Sequence, residues 1–202
     1  MTLADDELLD LFDFEDALRA IATHETKLRA LRIIGEDNED IAADRVRQLL
    51  ALPALVDLEV LMLPRCKLGR AGGEALGAAA LPKLRFLDVR ATAIGDAGAR
   101  ALASSQFASR IEHLSIAGAF LTAEGFQALL DSPLGKRKNS LHVEEEGQGE
   151  SIIPTLMERL YALGRGDDAK VARAFTSLLQ HPSLTRESRD ELRYQWDLVM
   201  SN

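Results

Sequence analysis

Between residues 58 and 129 the apolar positions recur in a fixed order, and their period changes halfway through each recurrence. In LDVRATAIGDAGARAL (residues 87–102), Leu87 and Val89 stand two apart, which sets them on one face of an extended segment with Asp88 on the other. From Asp96 the spacing turns helical and runs to Ala101-Leu102. Counted from Leu84, the unit is Leu84, Leu87, Val89, Thr92, Ile94, Gly95, Gly98 and Leu102. The unit before it, 26 residues earlier, is Leu58, Leu61, Leu63, Cys66, Leu68, Gly69, Gly72 and Leu76. The unit after it, 27 residues later, is Ile111, Leu114, Ile116, Ala119, Leu121, Thr122 in place of glycine, Gly125 and Leu129. Each unit is expected to form a short strand, a turn closed at Ile94-Gly95 or its equivalent, and a returning helix. Asp96 is expected to cap that helix, and Gly98 to mark a close approach of helix to sheet. Thr92, Cys66 and Ala119 are expected to face inward at the strand exit. A lone strand–helix unit cannot bury its apolar side, so neighbouring units stack.

The order L-x-x-L-x-L-x-x-(N/C/T)-x-L-G-x-x-G-x-x-x-L resembles the leucine-rich repeat, in its longer ribonuclease-inhibitor-like subtype. The resemblance covers residues 28–146 and is strongest in the three central units. Leu28, Leu31 and Ile33 begin a first unit, but GEDNED delays its next apolar position to Ile41. The last unit starts at Lys138, keeps Leu141 and Val143, and runs into EEEGQGE. The resemblance implies an α/β fold: a short solenoid of about five units, with a parallel sheet on the concave face and helices on the convex face. It implies a weakened inner ladder, because none of the central units has the asparagine that serves best at the ninth position. It also implies a non-catalytic protein-interaction module, an adaptor, scaffold or inhibitor type, as in proteins similar to ribonuclease inhibitor and the activators of Ran-type GTPases.

The flanks read as caps. Residues 1–27 place Leu8, Leu11/Phe12, Leu18 and Ile21 at helical spacing, with Asp5, Asp6 and Glu7 at the start, and predict an N-terminal cap helix. Residues 147–202 predict a helical cap or a small three-helix bundle. SIIPTLMERLYALGRG would be its first helix, with Ser151 as cap, Pro154 in the first turn and Gly164 at the end. DDAKVARAFTSLLQ would be the second, stopped near His181-Pro182, and TRESRDELRYQWDLVM the third, with Leu192, Trp196 and Val199 on one face. A separate docking module remains the alternative for this region.

Composition narrows the function. The chain has 202 residues and a net charge of −8. Residues 1–27 hold eight acids against Arg19 and Lys27, which favours a basic partner surface. With no basic stripe or arginine-glycine tract, nucleic acid is not an expected partner. No segment approaches a membrane span and the start lacks signal-peptide features, so a cytoplasmic protein without membrane contact is expected. The single cysteine, Cys66, forbids an intrachain disulfide, and its inward turn position suits a structural thiol rather than a nucleophile.

Alternation along the strands yields three outward rows: Ala30, Val60, Phe86, His113 and Ser140; Arg32, Met62, Asp88, Ser115 and His142; and Ile34, Pro64, Arg90, Ala117 and Glu144. Val60, Met62, Pro64 and Phe86 make an apolar patch beside Asp88 and Arg90, while His113, Ser115 and His142 extend it. Aromatic and methionine side chains rimmed by charge suit a protein partner. Self-association through the same patch is the alternative, as is cover by the C-terminal helices. His113 and His142 lie close to Ser115, Asp88 and Glu144, but a flat sheet supplies neither an oxyanion donor nor a third converging ligand, so neither catalysis nor metal binding is expected. LGRAGGEALG lacks the lysine and spacing of a phosphate loop, so no cofactor is expected. His24 and His181 fall near helix ends and belong to no constellation.

Overall fold

The computed structural model describes residues 8–23, 28–35, 40–143 and 167–200. Six strands form one sheet in chain order: β1 (Leu8–Leu11), β2 (Ala30–Ile33), β3 (Val60–Met62), β4 (Phe86–Asp88), β5 (His113–Ser115) and β6 (Leu141–His142). Every neighbouring pair is parallel. The helices are α1 (Phe14–Ala22), α2 (Ala43–Leu50), α3 (Gly69–Gly77), α4 (Gly95–Ala103), α5 (Ala123–Asp131), α6 (Asp168–Leu179) and α7 (Arg186–Met200), with a short 3-10 turn at Pro53–Leu55. The protein is therefore α/β, built on a parallel sheet.

The core follows from the repeat. Leu31, Leu61, Leu87, Leu114 and Leu141 are register partners across five strands and are essentially fully buried. They join Leu76 of α3, Leu102 of α4 and Leu129 of α5 in one continuous apolar cluster. Thr92, Cys66 and Ala119 all point inward, as expected. The Thr92 hydroxyl donates to the Val89 carbonyl at 2.6 Å and the Cys66 thiol to the Ile33 carbonyl at 3.4 Å, so both occupy backbone acceptors at strand exits. The turns recur as well: Arg65, Ala91 and Gly118, one per unit, all have φ between 53° and 63°. Holding the first two in that left-handed region costs about 1–2 kcal/mol each, which stacking must offset.

The glycines serve a different contact from the one expected. A Cβ on Gly98 would sit 3.2 Å from the Gly73 Cα and 2.6 Å from the Ile94 Cβ, and one on Gly77 would sit 2.5 Å from the Ala101 carbonyl carbon. These glycines let α3 and α4 pack on each other, so the close approach is helix to helix rather than helix to sheet. Asp96 is not a cap either. It lies inside α4, which starts without a side-chain cap at Gly95, a residue whose φ of 60° suits glycine. Its carboxylate instead accepts the Thr122 backbone N–H at 2.7 Å and the Thr122 hydroxyl at 2.6 Å. Thr122, which replaces the turn glycine, in turn caps α5 by accepting the Glu124 N–H at 3.1 Å.

The N-terminal segment departs from the expected cap helix. Leu8–Leu11 pairs in parallel with Ala30–Ile33, and the helix begins only at Phe14, where Asp13 accepts the Asp16 N–H at 2.7 Å. The backbone at the open side of β2 is satisfied by this pairing, and that tertiary demand outweighs the helical spacing of Leu8, Leu11 and Phe12. The sheet thus begins at Leu8, ahead of residue 28 where the sequence units start. Asp5, Asp6, Glu7 and His24 lie outside the described residues.

At the opposite side β6 is closed by the turn between α6 and α7. Asn139 and Leu141 donate to the Pro182 and Ser183 carbonyls at 3.0 and 2.8 Å, and Thr185 donates to the Leu141 carbonyl at 3.3 Å. The Val143 N–H reaches the Ser188 hydroxyl at 3.1 Å. α6 is capped by Asp167, and Phe175 stacks on Trp196 of α7 with centroids 4.2 Å apart. Leu192 is buried and Trp196 half-buried, as the shared face predicts. The expected helix over SIIPTLMERLYALGRG, with Ser151, Pro154 and Gly164, lies outside the described residues.

A charged row runs along the strand entries. Arg29, Glu59, Arg85 and Glu112 immediately precede β2 to β5. Arg29 pairs with Glu59 at 2.7 Å, Arg85 binds both Glu112 oxygens at 2.7 and 2.8 Å, and Arg137 approaches Glu112 at 3.8 Å. The Glu112 hydrogen bond, with a smaller push from Glu59, raises the Arg85 pKa.

Candidate functional site

Residues flanking the buried leucines point to the sheet face turned away from the helices. Ladder register aligns Ala30, Val60, Phe86 and His113 in one row, and Asp10, Arg32, Met62, Asp88, Ser115 and His142 in the next. Backbone bonds from Ile34 to Leu11, Gly35 to Pro64, Arg65 to Arg90 and Ala91 to Ala117 carry the pairing one step further. They align Ile34, Pro64, Arg90 and Ala117 in the third row. The rows expected from alternation hold in register, but Ala30, Ala117 and Ser140 in them are buried rather than outward, and Glu144 lies outside the described residues.

Exposure within the rows is uneven. Val60, Met62, Pro64, Phe86, Arg90, His113 and His142 are half-buried. Asp88 and Ser115 are only 8 % and 6 % exposed, so these two offer little direct contact surface. Ala30 and Ser140 are fully buried, and the Ser140 hydroxyl donates to the Leu134 and Arg137 carbonyls at 3.0 and 3.1 Å. Neither presents a side chain to a partner.

Asp88 acts on its neighbour instead. The Arg90 guanidinium is forked onto its carboxylate at 3.0 and 2.8 Å, and the Arg90 N–H also donates to it at 3.0 Å. The pairing holds the guanidinium against the sheet and cancels charge on the face. Arg32 pairs with Asp10 at 3.3 Å in the same row. Asp10 and Phe12 were missed by the sequence reading, which put both on a helix. Phe12, just past the end of β1, is 68 % exposed.

Aromatic rings cross the other half of the face. Phe86 and His113 stack with centroids 5.9 Å apart, and His113 lies 4.0 Å from His142. Burial, the neighbouring His142 and Arg90 together push the His113 pKa down to about 4 against a smaller opposing pull from Asp88. His113 is thus a neutral ring near pH 7, half-buried rather than fully exposed. Cys66 lies behind the sheet, where burial pushes its thiol up to about 12. Such a thiol stays protonated and is unsuited to nucleophilic attack. Among the described residues no three His, Cys, Asp or Glu side chains converge as metal ligands, and no helix is long and apolar enough to cross a membrane.

The class defined by the coordinates is an α/β protein with a parallel sheet, one face of which carries aligned apolar and aromatic side chains. No family model matches the chain, and no curated protein matches its sequence.

Proposed function

We propose that the chain is a leucine-rich-repeat interaction module of the ribonuclease-inhibitor-like subtype, a cytosolic adaptor, scaffold or inhibitor type without catalytic activity. Its sheet would form the concave face of a short solenoid and hold a protein partner. The observation that carries this reading is the register-aligned surface of Val60, Met62, Pro64 and Phe86, continued by the His113–His142 rings. Large apolar side chains on a solvent-facing sheet mark contact surface, and rigid aromatic rings lose little conformational freedom when covered. The Asp88–Arg90 and Asp10–Arg32 pairs sit beside it as a polar rim that sets orientation.

The test compares wild type with a Met62→Glu, Phe86→Glu double variant in affinity capture, with circular dichroism as the folding control. Both side chains are half-buried, so the variant is expected to stay folded and to lose the proteins that wild type retains. Identical retained sets from two folded proteins refute the reading. A wild-type dimer at low micromolar concentration that the double variant dissolves would transfer the same surface to self-association.

A further inference from the structure

We propose that β6 and the C-terminal helices form a proton-sensitive clasp, docked onto the sheet near neutral pH and released on acidification.

Three of the chain's four histidines meet at this seam. His113 and His142 lie side by side on β5 and β6 with ring centroids 4.0 Å apart. Two imidazolium rings at that separation repel, and half-buried surroundings screen them poorly. His181 stands on the far side of β6, in the turn that closes it. Its Nδ1 is 2.8 Å from the Ser183 hydroxyl, and the Ser183 carbonyl accepts the Leu141 N–H at 2.8 Å. A histidine environment that resists protonation therefore stands on each side of a strand only two residues long.

Among the described residues, the charges that act on His113 and His181 come in opposed pairs. His113 faces Asp88 and Arg90, which are paired with each other and act in opposite directions. His181 faces Asp131, which favours the proton, and Arg189, which opposes it. Arg189 is itself fixed to the Leu179 and His181 carbonyls at 2.9 and 3.0 Å. Along the outer edge Ser188 and Thr185 contribute uncharged hydroxyls. Burial lowers both the His113 and His181 pKa values, the former to about 4. Released from the seam, each ring would return toward about 6.5. The undocked state then binds more protons, so docking is fully favoured above about pH 6.5 and weakens as the pH falls toward 4.

The experiment uses the single tryptophan. Trp196 is half-buried against the shared apolar core as well as stacked on Phe175, so its emission reports attachment of the helices. Emission is followed from pH 7.5 to 4 at constant ionic strength, beside amide hydrogen exchange corrected for intrinsic rates. In wild type, Trp196 emission and the Leu114 and Ile116 amides, which bond β5 to β6 through the Ser140 and His142 carbonyls, are expected to change together, while the Leu61 and Leu87 amides stay protected. His113→Phe, which continues the Phe86 stack without titrating, is expected to lower the midpoint by about half a pH unit or more. His181→Asn keeps a polar atom near the Nδ1 position and is expected to shift it in the same direction. It decides the matter if His113→Phe does not fold. Simultaneous loss of all four amides, or a midpoint unmoved in every variant that folds, overturns the proposal.

Discussion

The centre of the sheet and its last edge are held by different chemistry. Between β3 and β5 each strand is sandwiched by two others, its leucines are register partners of leucines, and α3 to α5 pack through bare glycine surfaces. At β6 the outer neighbour is an irregular turn, fastened by backbone bonds to Pro182 and Ser183 and by the Ser188 hydroxyl, and braced internally by His181 on Ser183. The centre owes its stability to apolar area, which is indifferent to pH, whereas the edge depends on aligned polar groups. A stack of units can copy the first solution indefinitely, but an end needs the second, because an uncovered strand exposes unpaired N–H and C=O groups.

The largest break in this contrast should come from Leu87→Ala. Its side chain is fully enclosed between Leu61 and Leu114, and truncation should cost about 2–5 kcal/mol, read as a lower urea midpoint for the whole transition. Gly77→Ala comes next. Alanine favours helix, but its Cβ would meet the Ala101 backbone at 2.5 Å, so α3 and α4 must separate, with a net loss of about 1–3 kcal/mol by thermal denaturation. Ser188→Ala should have the smallest effect, about 1 kcal/mol, confined to faster exchange of the Val143 amide that it leaves without its hydroxyl acceptor. A Ser188→Ala effect as large as that of Leu87→Ala would show that edge and centre unfold as one unit.

The parts legible in the sequence were those fixed by repetition. Once Leu61, Leu87 and Leu114 are aligned, the side-chain period of two dictates which residues share each outward row, and Val60, Met62, Phe86 and His142 fell where expected. How far each side chain would be exposed was not legible, since alternation fixes the face a residue shares but not what folds over it, as the Arg90 guanidinium does on Asp88. LLDLFD fits a period of 3.6 as readily as 2, and four residues are too few to separate them. Asp13 ahead of FEDAL was the available signal that the helix starts later. The closure of β6 by residues 182–188 left no local signal, because it joins segments about forty residues apart through carbonyls that every residue possesses.

The row Arg29, Glu59, Arg85, Glu112 alternates in sign from one unit to the next, and this gives the stack a parity. Excising residues 59–84 would bring Arg29 beside Arg85 and set two guanidinium groups against each other. Excising residues 59–111 would bring Arg29 beside Glu112 and restore an attractive neighbour. Shortened versions should thus tolerate removal of units in twos more readily than singly, and any lengthening by duplication should obey the same even-number rule.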